Sequence, residues 1–161
     1  MTSFVNLADA GRVLAVRVIE KLDVTGPVSV LAAIPNGVPV AIPVAHALGS
    51  KAIALPITRT DDGPVVGKTP EVSGHVVVVI DDGVETGSVA RAAAIALREA
   101  GPSRLILAVP VCSREAMANL AHLYDQIIAV DMPLGRRSLA WHYADFDTID
   151  DDTAQRLLDR Q

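Results

Sequence analysis

Five consecutive residues, Val76-Val77-Val78-Val79-Ile80, are all apolar and β-branched. No other stretch constrains the fold as much. A strand with one wet face alternates polar and apolar residues. An unbroken run instead reads as a strand covered on both faces, as in the interior of a parallel sheet. The run ends at two adjacent carboxylates, Asp81 and Asp82. The segment Gly83-Val84-Glu85-Thr86-Gly87-Ser88 then opens an alanine-rich stretch with helical periodicity.

Strand and helix signals alternate on both sides of this unit. Asn6 or Asp9 is placed to cap a first helix, in which Ala10, Leu14, Val18 and Leu22 recur at helical spacing. Thr25-Gly26-Pro27 stops it, and 28–34 reads as a strand closed by the turn Pro35-Asn36-Gly37. A helix over 38–48 follows. Pro39 suits its first turn, whereas Pro43 removes an interior donor unless the helix begins late. Residues 51–57 read as a short strand, and the polar stretch 59–74, broken by Gly63-Pro64, Gly67 and Pro70, as a loop or short excursion.

After the central strand, Val89, Ala92, Ala93, Ala96 and Leu97 mark a helical stripe. A strand over 105–111 follows, then a helix over 114–123 with Met117, Leu120 and Ala121 on one face. A strand over 126–130 comes next, and a last helix begins after Asp150-Asp151-Asp152. This order predicts an α/β chain, one domain over 1–161, with a central, mostly parallel sheet flanked by helices. Residues 132–146, which hold the single tryptophan, read as irregular.

The composition narrows the function. Half of the residues are apolar, enough for a sizeable core, and the net charge of −5 argues against a nucleic-acid-binding face. The single cysteine, Cys112, excludes an internal disulfide and suits a reducing, cytoplasmic setting. No apolar run reaches the ~18–20 residues that cross a bilayer, and the N-terminus lacks a signal-peptide pattern. His46, His75, His122 and His142 show no metal-ligand spacing. Cys112 has no evident histidine partner and reads as a core residue. Asp150-Asp151-Asp152 reads as a cap and a solvated acidic stretch, and Arg136-Arg137 as exposed or at an interface.

Ligands of such folds sit at the carboxyl ends of the strands. The Asp-Asp pair, the Pro-Asn-Gly turn and the end of the 105–111 strand all fall there. Carboxylates can accept hydrogen bonds from sugar hydroxyls, and backbone N–H groups at a helix start can hold a phosphate. A phosphorylated sugar with free hydroxyls is therefore the expected ligand. The plainer reading is a strand ending in an Asp-Asp-Gly turn, with Thr86 or Ser88 capping the next helix.

Apolar strand, acidic pair and Thr-Gly turn in this order resemble the signature of the type I phosphoribosyltransferases, which bind 5-phosphoribosyl 1-diphosphate (PRPP). The resemblance extends along the chain to a bacterial subgroup of these enzymes. It includes Phe4 with Asp9-Ala10-Gly11-Arg12, Pro35-Asn36-Gly37-Val38-Pro39-Val40, and Trp141-His142-Tyr143-Ala144-Asp145-Phe146. The resemblance implies that Asp81 and Asp82 meet the ribose hydroxyls and favour the oxocarbenium-like sugar as diphosphate departs. Gly83 through Ser88, chiefly Glu85-Thr86-Gly87-Ser88, would hold the 5′-phosphate. Pro35, Asn36 and Gly37 would meet diphosphate through backbone N–H groups. Arg59 and Lys68 would be the cations of a loop that closes over the substrate.

For several residues two readings stay open. Glu85 is either a base for the incoming acceptor or a solvated acid favourable to the helix dipole. Arg114 either meets the base or an acidic substrate, or lies on the surface at a helix start. By the resemblance, about 131–149 corresponds to the family's small hood over the nucleobase, and its Trp141, Tyr143 and Phe146 either stack on a nucleobase or plug an open edge or a dimer seam. The sequence also departs from the family pattern. The Pro35-Asn36-Gly37 turn lacks an arginine and is one residue short, Val89 replaces a hydroxyl residue, and the 59–74 segment is short.

The expected activity is transfer of the 5-phosphoribosyl group from Mg²⁺-PRPP to a nitrogen of a base, a purine-like one by Glu85. Mg²⁺ would be held mainly by substrate oxygens. The alternative is a sensor that binds the sugar phosphate or a nucleotide without turnover. A third class, phosphoryl transfer on an aspartate, fits poorly because the acids are adjacent and lie on a mid-chain strand. A homodimer is an expected assembly by the resemblance.

Overall fold

The computed structural model describes residues 4–135 and 138–161; Arg136 and Arg137 lie outside them. The elements run α1 (Leu7–Lys21), β1 (Val28–Ala33), α2 (Gly37–Ala47), β2 (Ala52–Leu55), β3 (Ile57–Thr60), β4 (Gly63–Val66) and β5 (Val76–Ile80). They continue with α3 (Ser88–Glu99), β6 (Arg104–Val111), α4 (Arg114–Leu120), β7 (Gln126–Asp131), a 3₁₀ turn (Leu139–His142) and α5 (Asp151–Asp159). Of the two candidate caps, Asn6 caps α1, its side chain accepting from the Asp9 N–H.

Five strands form one parallel sheet in the order β2-β1-β5-β6-β7. All five β5 residues are buried. Because side chains alternate along a strand, Val76, Val78 and Ile80 enter a core with α1, α2 and α5, which includes Leu14, Val18 and Val44. Val77 and Val79 enter a second core, with Leu97 of α3 and Leu120 of α4. The chain is thus an α/β fold with helices on both faces of a parallel sheet. From β1 the chain passes to β2 at one edge, then returns beyond β1 to β5 and runs on to β7. Its direction reverses between β1 and β5, leaving a crevice outside their carboxyl ends.

Several local expectations are corrected. The 59–74 segment contains one arm of an antiparallel hairpin, with Thr58 paired to Val65 and Thr60 to Gly63. The turn Asp61-Asp62-Gly63 joins the two four-residue strands, and Gly63 adopts a positive φ of 112°, the conformation a tight hairpin needs. In α3 the buried stripe is Ala90, Ala93, Ala94 and Leu97, one residue out of phase with the expected one. Helix α4 ends at Leu120, and Ala121 is exposed.

Helix α2 begins at Gly37 with Pro43 in its interior. It packs closely on α1: a Cβ on Gly11 would lie 2.6 Å from the Val40 carbonyl oxygen. No helix among the described residues is long and apolar enough to cross a membrane.

Candidate functional site

Asp81 and Asp82 follow the last residue of β5, at the crevice where the chain reverses direction. The Asp82 N–H donates to Asp81 Oδ1 at 2.8 Å. Two adjoining cavities of about 240 and 170 Å³ share Ala33, Arg59, Asp81, Asp82 and Val89 in their walls. Burial, compounded by the charge of Asp82, holds the Asp81 carboxyl well above the usual carboxylate range. Burial raises Asp82 as well, opposed in part by hydrogen bonding, chiefly with Asp81, and by the charge of Arg59. Arg59, on β3, is the one cation in either wall among the described residues. Lys68 is in neither wall. An acid pair so placed shares its titration, and two full charges so close disfavour each other.

The larger cavity is walled by the loop 83–88 and the start of α3. The capping reading holds in part: the Thr86 hydroxyl, one residue before the N-cap, accepts from the Ser88 N–H at 3.3 Å, the first N–H of this helix. The N-cap is Gly87 at φ 85°, with no side-chain hydrogen bond. The Thr86 and Ser88 hydroxyls lie 3.1 Å apart, both exposed. The smaller cavity is walled by Ile34, Pro35 and Asn36, at the start of α2. Helix α2 also lacks a side-chain cap. By contrast α1, α4 and α5 are capped by Asn6, Ser113 and Asp150. Among the α-helices of the described residues, the two whose N-cap residue gives no side-chain hydrogen bond are the two that open on the crevice. Such ends present unsatisfied N–H groups and a partial positive charge, the physical requirement for holding an anion.

The Pro35-Asn36-Gly37 turn is made without a left-handed residue. Asn36 is right-handed, with φ −75°, and among non-glycine residues described none has positive φ. Gly37 is required for another reason: a Cβ there would lie 2.7 Å from the Ile80 carbonyl oxygen. Absence of a side chain lets the start of α2 come against the end of β5. The Asn36 side chain accepts from the Ile149 N–H at 3.0 Å.

The hood closes the larger cavity with Ser138, Leu139, Ala140 and Phe146. Tyr143 does not line the cavity as a stacking surface. It is buried between Phe4 and Phe146, and its hydroxyl donates to the Asp82 carbonyl at 2.7 Å. Burial and the two nearby acids raise its pKa and keep it a neutral donor. Trp141 lies outside both walls, edge-on to His142 at 5.0 Å. Arg114 is exposed at the start of α4 and is not in either wall.

Glu85 lines the cavity, and its Oε1 accepts from the Leu139 N–H at 2.7 Å. His142 is buried, its Nδ1 3.2 Å from an Asp131 carboxylate oxygen. Cys112 is fully buried, and burial pushes its thiol up to about 11, so it is held as an unreactive thiol.

Among the wall residues that local pattern does not mark are three of the segment after 137. Ser138, Leu139 and Ala140 carry no chemical signature, and a short 3₁₀ turn leaves no periodic pattern to detect. Val89, read as core, is half-buried and faces both cavities. For a metal, no group of three or more His, Cys, Asp or Glu side chains converges among the described residues.

A family model described as "Phosphoribosyl transferase domain" matches residues 3–132, up to the hood. A curated Mycobacterium tuberculosis protein, "Putative phosphoribosyl transferase Rv0571c", is 31% identical over 88 residues. That segment is 55% of this chain but 20% of the relative, so the chain spans about a fifth of its length. Among solved structures, TT1426 from Thermus thermophilus superimposes with a TM-score of 0.84 at 24% identity, covering 98% of each chain. A purine phosphoribosyltransferase from Pyrococcus horikoshii superimposes with a TM-score of 0.59 at 16% identity, covering 85% of this chain and 97% of that one. At these identities the two structures speak to the fold.

Proposed function

The chain belongs to the phosphoribosyl transferase domain family, and on that footing we propose that it binds PRPP in the crevice between β1 and β5 and transfers the 5-phosphoribosyl group to a ring nitrogen of a base. The observation that carries this reading is the pairing of the Asp81-Asp82 diol acceptor with two helix N-termini whose N-cap residues give no side-chain hydrogen bond.

The 5′-phosphate is assigned to the start of α3, where the N–H groups past Gly87 and the Thr86 and Ser88 hydroxyls converge. Diphosphate is assigned to the start of α2, with Arg59 between the two. The ribose then spans Asp81 and Asp82, whose carboxylates accept from its 2′ and 3′ hydroxyls. In the transfer, the bond from C1′ to the diphosphate oxygen breaks and diphosphate takes the electron pair. A lone pair on the base nitrogen forms the new C1′–N bond, and the proton that nitrogen loses passes to the departing diphosphate or to solvent. The two carboxylates stabilise positive charge on the sugar ring during the passage, and Phe146 and Leu139 keep water from the reacting carbon.

Mg²⁺ fits this donor set. The oxygens of Asp81 and Asp82 are hard ligands, and Mg²⁺ is commonly held by one or two carboxylates together with substrate phosphates and water. When bound, it neutralises charge on the diphosphate. A purine is the first acceptor to test, since solved structures of this fold include a transferase named for purines. The test is diphosphate release from PRPP and Mg²⁺ across a panel of purine and pyrimidine bases. Release with one base supports transfer; none with any base, at saturating PRPP, removes it.

One observation favours a second reading, binding without turnover. Arg59 is the one cation in the two walls among the described residues, a sparse complement for a departing diphosphate. Calorimetric binding of PRPP or a nucleotide without release of diphosphate selects this reading.

A further inference from the structure

We propose that Glu85 is a positioning residue, which fastens the hood over the acceptor side of the pocket rather than taking a proton from the base. The proposal rests on the reading of the crevice as a PRPP and base site.

Leu139 opens the 3₁₀ turn of the hood, and Ser138 before it gives no side-chain cap. The N–H of Leu139 is therefore one of the orphan donors of a helix start. Its acceptor is Glu85 Oε1, at 2.7 Å and 54 residues away in the chain. A carboxylate accepting from a backbone amide makes one of the stronger hydrogen bonds available to a protein. Here it joins the phosphate-side loop directly to the wall that an acceptor would touch.

The contact continues in the side chain of Leu139. A Cβ on Gly83 would lie 2.5 Å from Leu139 Cδ2, so the hood rests on the loop backbone with no space for a side chain between them. Two further bonds act in the same sense. The Tyr143 hydroxyl donates to the Asp82 carbonyl, and the Ile149 N–H donates to Asn36 Oδ1. Each of the two loops flanking the crevice thus holds a piece of the segment 138–149. In this arrangement Glu85 directs its bonded oxygen at the hood backbone. The acceptor would meet Glu85 indirectly, through the placement of Leu139.

Two substitutions separate the roles. Glu85→Gln keeps an oxygen that can accept from Leu139 but cannot take up a proton at neutral pH. Glu85→Ala removes both abilities. Glu85 is exposed, so neither change threatens folding, and thermal melts verify this.

The first readout is backbone amide exchange over residues 138–146, which needs no activity. E85A should speed exchange at Leu139 by about tenfold, the loss of one charge-assisted bond, while E85Q stays within about twofold of the parent protein. The second readout is steady-state kinetics with whichever base supports turnover. E85A should raise the KM for the base more than it lowers kcat, E85Q should largely restore that KM, and neither should remove an ionisation from the pH profile. Unchanged hood exchange in E85A overturns the proposal. So does an E85Q variant that loses kcat and one limb of its pH profile while keeping the KM for the base. If no base is turned over, transfer falls, and the exchange result alone still decides whether Glu85 holds the hood.

Discussion

Asp81 carries opposite consequences for the empty protein and for the proposed complex. Its carboxyl is held well above the usual range by burial and by Asp82, so the folded empty protein binds a proton there more readily than the unfolded chain does. Stability from such a group is fully present below the unfolded value of roughly 3.9 and is lost as pH rises through the raised folded value. Asp81→Asn removes this charge and keeps an oxygen for the Asp82 N–H. It should raise the Tm of the empty protein near neutral pH by about 2–4 °C, a gain on the order of 1 kcal/mol. The same variant should bind PRPP about tenfold to hundredfold more weakly, the loss of a hydrogen bond to a charged group. In the parent protein, calorimetry should show PRPP affinity increasing as pH rises through the titration of the pair, because ionised carboxylates accept best from hydroxyls. The acids and their neighbours in the loop were legible in the sequence because chemical type and spacing name them. Tyr143 was legible as part of the hood but not in its role. Its hydroxyl meets Asp82 across 61 residues, a closure that local pattern does not encode.

The elements that frame the crevice depend on close approaches. Gly37→Ala would place a Cβ 2.7 Å from the Ile80 carbonyl oxygen, so α2 must back away from β5. Such overpacking typically costs about 1–3 kcal/mol, and the urea midpoint should fall with little change in slope. The free edge of the sheet offers a second test. The Gln161 side chain accepts from the Ala52 N–H and donates to the Ala52 carbonyl, pairing with β2 as a neighbouring strand would. Gln161→Ala should lower stability by about 1–2 kcal/mol, from two lost hydrogen bonds, and leave PRPP affinity unchanged. Elements such as β5 and α1 could be read closely because burial on two faces, or a sustained helical stripe, leaves a strong pattern. The β3–β4 hairpin was harder. Its strands are four residues each, with none of those residues fully buried, so little apolar alternation marks them, and Asp62-Gly63 was its chief signal. The phase error in α3 has a similar source, since a run of alanines offers several stripes of equal hydrophobicity.

At the scale of the whole molecule, the order of the strands brings the pieces together. Because the chain turns back between β1 and β5, the acid pair, the starts of α2 and α3 and Arg59 meet in one crevice. The segment 138–149 is then drawn over it by bonds to Asn36, Asp82 and Glu85. Titrating PRPP with Mg²⁺ into the parent protein and into the Asp81→Ala, Asp82→Ala double variant, with melts to verify that both are folded, tests this account most directly. Saturable one-to-one binding by the parent, weakened at least about hundredfold in the variant, is the predicted result. Equal affinity in the two proteins would contradict it.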